Sequence, residues 1–121
     1  MLFIPSAIAR KAYVKDSFQR TDGGFCFQVY NRLAPGTVLS IQEVQVNGCK
    51  IRLEQVRLIS ADGQHTPATA ISPSAPYEFP FHQPVTIAVD DHPIQPGQHV
   101  ISLVAQTREV GRCKVQAALT L

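Results

Sequence analysis

Four histidines, three cysteines and nine carboxylates are the side chains with most chemical reach in this chain, and their spacing decides which chemistries are open. A strand-borne metal site of the cupin kind needs two histidines one residue apart plus a further histidine and carboxylate, and no His-x-His occurs. His92 and His99 stand seven apart across two prolines, while His65 and His82 bracket a proline-rich stretch. Ligation by any pair would need tertiary convergence, and loop or surface histidines are the plainer reading. Cys26, Cys49 and Cys113 form an odd set without a CxxC pair, each where a strand's inward residue is expected. Buried thiols acting as small apolar side chains fit this pattern better than a disulfide framework or a zinc site. Cys26, held between Phe25 and Phe27, reads as core before it reads as a nucleophile. No serine lies in a Gly-x-Ser-x-Gly elbow. Carboxylate pairs could be drawn from Glu43, Glu54, Glu78 and Asp90-Asp91, but Glu43 and Glu54 read equally as charges that blunt a sheet edge, and the adjacent aspartates as turn formers. The expectation is a chain without its own catalytic, cofactor-binding or metal-ligating residues.

The elements that would have to position such groups are those of one domain. At 121 residues, 45% hydrophobic and 17% charged, residues 1–121 read as a single β-sandwich domain able to hold a core without staples. The net charge of +2 is unevenly spread: residues 1–57 carry eight Lys/Arg against four acids, and residues 58–107 carry four acids and no Lys or Arg. A pI near 8.6 without a dense basic stripe argues against nucleic acid. The acidic middle also holds all four histidines, so its charge would move toward neutral below about pH 6.5. No run approaches the roughly 20 apolar residues of a membrane span. The apolar start, Met1 to Ala9, is interrupted by Pro5, followed by Arg10 and Lys11 and preceded by no basic region, unlike a signal peptide. With unpaired cysteines, this points to a reducing, cytoplasmic setting.

Period-two alternation dominates. Residues 113–121 place Cys113, Val115, Ala117, Leu119 and Leu121 on one face. Residues 24–31 follow Thr21-Asp22-Gly23-Gly24 and suit a strand entered by a hairpin from residues 12–19. Asn47-Gly48 joins residues 38–46 to 49–59, and a type I′ turn needs positive φ at both central positions. Within 49–59 the apolar parity shifts between Leu53 and Val56, which a bulge near Glu54-Gln55 would produce. Further strands are expected at 84–89 and 99–107. Seven to eight short strands with turn signals at this spacing predict an all-β, antiparallel sandwich of jelly-roll or immunoglobulin-like kind. Its expected core includes Phe25, Phe27, Val29, Ile41, Val46, Ile51, Leu53, Val56, Leu58, Val85, Ile87, Leu103, Val115 and Leu119.

Residues 67–84 hold five of the nine prolines and predict a long ordered loop or edge cover. Tyr77, Phe79 and Phe81 alternate within it and need burial, either in the core or against a partner. Sugar platforms usually need exposed Trp or Tyr faces, tryptophan is absent, and of the tyrosines only Tyr77 lies in a loop, so rings that plug the sandwich mouth or pack on a partner chain are the preferred reading. The expected interface residues are Arg32, Gly36, Tyr77, Phe79 and Phe81.

The run Gly24-Phe25-Cys26-Phe27-Gln28-Val29, followed by Arg32, Gly36, Leu39-Ser40-Ile41-Gln42-Glu43 and Val44-Gln45-Val46-Asn47-Gly48, resembles the small β subunit of bacterial C-glycoside deglycosidases. Ile94-x-Pro96-Gly97-x-His99 before a strand, and Arg108 near that strand's end, extend the likeness. It departs in Tyr30-Asn31-Arg32-Leu33-Ala34-Pro35-Gly36, where the family tends to carry paired tyrosines, and in an end without the family's aromatic tail. The resemblance implies a non-catalytic accessory subunit that assembles with a larger barrel-type α subunit. That partner would hold a divalent metal and cleave the carbon-carbon bond of oxidised C-glycosides, while this chain carries no cofactor. A homo-oligomer or such an enzyme subunit is the expected partner, with a sugar or glycoside as ligand and neither nucleic acid nor membrane. The alternative is an independent carbohydrate-binding sandwich.

Overall fold

The computed structural model describes residues 2–3, 11–31 and 36–121. Two sheets face each other. One contains β1 (Leu2–Phe3), β11 (Gly111–Thr120), β10 (Gln98–Thr107), β4 (Gly36–Val46) and β5 (Cys49–Ile51) in that order, with β8 (Tyr77–Phe79) added beside the first residues of β4. The other runs β2 (Gln19–Thr21), β3 (Gly24–Tyr30), β9 (Pro84–Val89), β6 (Val56–Ile59) and β7 (His65–Pro67). The expected all-β sandwich is the architecture observed. It has eleven strands among the described residues rather than seven to eight, because five strands of two or three residues complete the edges. All strand pairs are antiparallel except β1 with β11.

The core follows from the alternation. Phe25, Phe27 and Val29 of β3 stand opposite Val89, Ile87 and Val85 of β9, so three apolar cross-strand pairs line one inner face. Val44, Val46, Ile51, Ile101 and Ala117 supply the other. Of the expected core, Ile41, Leu53, Leu103, Val115 and Leu119 pack against this cluster only partly buried. In β10 the register slips between Val104 and Ala105, and Ile101 and Val104 are buried more deeply than Leu103. Tyr13, read as part of a hairpin strand, makes a single bridge to Val29 and is buried against Phe27. Its hydroxyl donates to Val115 O at 3.3 Å, linking the two sheets, and burial pushes the phenol well above its usual range. The hairpin expected from residues 12–19 is shorter, its strand being only β2.

The Asn47-Gly48 hairpin forms as expected, with φ of 53° and 82° at its two central residues and Val46 paired to Cys49. The parity shift that follows is not a bulge in one strand. Leu53–Gln55 form a 3-10 turn that carries the chain from β5 in one sheet to β6 in the other. Gln55 secures this crossover: its side-chain amide donates to Asp90 O and Asp91 O at 2.9 and 3.0 Å, and its own carbonyl accepts from Asp90 N–H at 2.8 Å. The cysteines also differ from expectation. All three are free, Cys26 and Cys113 are half-buried, and Cys49 is exposed. Cys26 alternates with the inward Phe25 and Phe27 and so points outward, while Cys49 opens a three-residue edge strand at the hairpin tip.

Candidate functional site

The proline-rich stretch is less of a loop than its composition predicts. Tyr77–Phe79 pair with β4 in the register Gly36 to Phe79, Thr37 to Glu78 and Val38 to Tyr77. Pro76 and Pro80 flank this strand, and neither can donate to a ladder, so the strand stops at three residues. Three of the five expected interface residues, Gly36, Tyr77 and Phe79, are therefore neighbours in this pairing, while Phe81 is bridged to Asn31, the residue after β3 of the other sheet. Arg32 lies outside the described residues. Tyr77 and Phe79 pack on the core, whereas Phe81, bridged to Asn31, is 40% exposed. After it, His82 takes a left-handed φ of 61° and its N–H donates to Asn31 O at 3.0 Å. This places His82 edge-on to Tyr30 at 5.9 Å, with the Tyr30 hydroxyl and His82 Nδ1 hydrogen-bonded at 3.4 Å.

The turn between β10 and β11 closes on the same edge. The buried Thr37 donates its N–H to Glu109 Oε1 at 2.8 Å, and that bond is the main reason the Glu109 carboxyl is held below the usual carboxylate range. Thr37 Oγ1 donates to Glu78 Oε2 at 3.4 Å, and Arg108 N–H donates to Thr37 O at 3.0 Å. Val110, next to Glu109, is 58% exposed. Phe81 and Val110 are thus left in solvent on segments hydrogen-bonded to the start of β4 and to the residue that precedes the undescribed stretch 32–35.

A cleft of ≈ 870 Å³ opens between the β6–β7 turn and the segment 75–83. Tyr77, Pro76, Pro80 and Ile71 are among its apolar lining, and Asp62, Gln64 and Gln83 are among its polar groups. The turn is rigidly built: Gly63 has φ 90°, Gly63 N–H donates to Ser60 O at 2.9 Å, and Gln64 N–H donates to Ser60 Oγ at 3.1 Å. Ser60 Oγ donates to the Asp62 carboxylate, the first cause of that group's lowered pKa, and Gln64 N–H supports it at 3.2 Å. The Tyr77 phenol is pushed up by burial and, secondarily, by the negative charge of Asp62.

The other candidate groups are dispersed. Asp90 is clasped by Arg57 through two bonds of 2.8 and 2.9 Å, which lowers its pKa, and Arg57 Nη1 also donates to His65 Nδ1 at 2.7 Å. Glu43 meets Gln45 and, at 3.6 Å, Lys50; its pKa is lowered mainly by Gln45. His92 lies edge-on to Phe25, and His99, held by Asn47 and Gln95, lies edge-on to Phe18. Among the described residues no three His, Cys, Asp or Glu side chains gather into a metal-ligand set. Among them, too, no helix is long and apolar enough to cross a membrane. Sequence reasoning missed Asp62, Gln64 and Gln83 as a group; Asp62-Gly63 is a local turn pair, but its approach to the proline-rich segment is tertiary.

Comparison with protein families matches residues 8–119 to one described as hydroxymethylglutaryl-CoA reductase, N-terminal domain. The chain belongs to this family. No curated protein matches it. The family description is of one domain of a reductase. The described lining of the cleft carries two carboxylates, Asp62 and Glu78, and no Lys, Arg or His to meet an anion.

Proposed function

We propose that the chain is a non-catalytic accessory module that docks a larger catalytic chain through the sandwich end where Gly36, Phe79, Phe81 and Val110 gather. The observation that carries this reading is the exposure of Phe81 and Val110, two of the three large hydrophobic side chains left in solvent among the described residues: Phe81 lies two residues beyond the strand paired to the start of β4, and Val110 lies beside the Glu109 that Thr37 bonds. Exposed apolar groups are a recurring feature of interaction surfaces. Pro76 and Pro80 beside β8 disfavour strand addition, so side chains rather than a shared sheet would make the contact. The family description, a domain of a larger enzyme, is compatible with such a role. The resemblance to C-glycoside deglycosidase β subunits implies as partner a barrel-type α subunit that holds the divalent metal and cleaves C-glycosidic bonds, in a cytoplasmic setting that suits free thiols.

Coexpression with a candidate barrel-type enzyme chain from the same genome tests the proposal. The double variant Phe81→Ser, Val110→Ser should weaken the complex by about tenfold or more, as expected for an aromatic anchor, while the unfolding midpoint stays unchanged. A complex of undiminished affinity, or no complex at all, refutes it. Self-association of the chain through the same two residues would instead identify a homo-oligomer.

A further inference from the structure

The cleft beside β8 has a chemistry of its own, independent of the docking end. Its volume of ≈ 870 Å³ falls within the range of about 300–1,000 Å³ typical of small-molecule sites. One aromatic ring, Tyr77, is fixed in it by strand pairing and by packing on the core, so it loses little freedom when a ligand arrives. A carboxylate, Asp62, is oriented in advance by Ser60 Oγ and Gln64 N–H. The side-chain amides of Gln64 and Gln83 add both donors and acceptors. The charge pattern narrows the ligand. Every described lining residue falls between Ser60 and Gln83, inside the run 58–107 that contains no Lys or Arg. Phosphates and carboxylates would meet like charge there without compensation. An apolar ligand would cover the carboxylate and amides without bonding to them, which is less favourable than a ligand that offers them hydroxyls.

We infer that this cleft binds the neutral sugar portion of a carbohydrate or glycoside, with the Tyr77 ring under a C–H face of the pyranose and Asp62, Gln64 and Gln83 bonding its hydroxyls. A pyranose combines the two surfaces the cleft offers: an apolar face that an aromatic ring can cover, and adjacent hydroxyls that need acceptors and donors at its rim. The Asp62 carboxylate, accepting only, suits hydroxyls that donate; the amides suit either direction. Free access from solvent lets a longer glycan or an aglycone extend beyond the lining.

Amide chemical-shift titration of the intact chain provides the test, with the methyl glycosides of glucose, galactose and mannose, cellobiose, and glucose 6-phosphate as probes. At least one neutral probe should give saturable shifts confined to residues 60–66 and 75–83, and glucose 6-phosphate should bind about tenfold more weakly than the corresponding neutral sugar. Tyr77→Ala should remove binding. Because that change also touches β8, Gln64→Ala and Gln83→Ala, at two exposed positions, provide a second measure and should each weaken binding several-fold with the remaining spectrum unchanged. No saturable shift with any neutral probe overturns the inference, as do shifts that map elsewhere or equal affinity for the phosphate. Since the titration uses the chain alone, its failure is separate from a failure to dock a partner.

Discussion

Adding one methyl group at Gly24 should cost more than adding one at any other glycine in this chain. A Cβ built there lies 2.0 Å from Val89 O, 3.0 Å from Val89 C and 3.3 Å from Asp90 Cα, all backbone atoms of β9 and its end. A comfortable carbon-to-oxygen separation is about 3.3 Å or more, so the two strands would have to part by over about 1 Å. The contact falls next to the pair of Phe25 with Val89, both fully buried, so the opening cannot be absorbed by a loop. Overpacking typically costs about 1–3 kcal/mol, and weakening one or two ladder hydrogen bonds adds roughly 1 kcal/mol each, giving about 2–5 kcal/mol for Gly24→Ala. At Gly48, where φ is 82° and nothing lies within 4 Å, alanine meets only the left-handed backbone penalty of about 1–2 kcal/mol. Urea unfolding followed by circular dichroism measures both, since the chain has no tryptophan. A Gly24→Ala loss equal to or smaller than that of Gly48→Ala would refute the close approach of β3 and β9.

Two further outcomes follow from titratable groups. The Asp90 pKa is depressed by Arg57, so its contribution to stability is present above the ordinary carboxylate value near about 4 and is lost as pH falls through the folded-state value. Asp90→Asn should flatten the acid limb of the stability curve below about pH 4 by a modest amount, since both side chains are partly in solvent, and an unchanged limb would contradict the clasp. Among the thiols, exposed Cys49 should react with a disulfide reagent well before Cys26 and Cys113, whose pKa values burial raises; simultaneous modification of all three at neutral pH would count against the packing of β3 and β11.

Much of the fold is legible where local chemistry leaves one choice. Asn47-Gly48 could serve only a tight hairpin, and both residues have the positive φ that turn demands. Pro84–Val89 is a strand at the bounds its alternation marks. The parity change between Leu53 and Val56 was legible as a break but not as a change of sheet, because a bulge and a crossover shift side-chain phase alike; the bonds from Gln55 to Asp90 and Asp91 that settle the matter join residues 35 and 36 positions apart. Cys49 looked inward by alternation, yet an edge strand at a hairpin tip lacks the neighbours that would cover it. Of the alternating aromatics expected to need burial, Tyr77 and Phe79 pack partly buried against the core, and Phe81 is left 40% exposed. Asp62, Gln64 and Gln83 carry no shared local signal. Only the folding of the β6–β7 turn against the proline-rich segment brings them to one cleft.

Hydrogen–deuterium exchange on the chain, alone and in complex with the coexpressed enzyme subunit, tests the docking account most directly. The account predicts slowed exchange on complex formation at residues 36–38, 77–82 and 108–111, with little change along β2, β3 and the β6–β7 turn. Protection confined to β2 and β7, at the other sheet's edges, or exchange identical in the two samples, would contradict it.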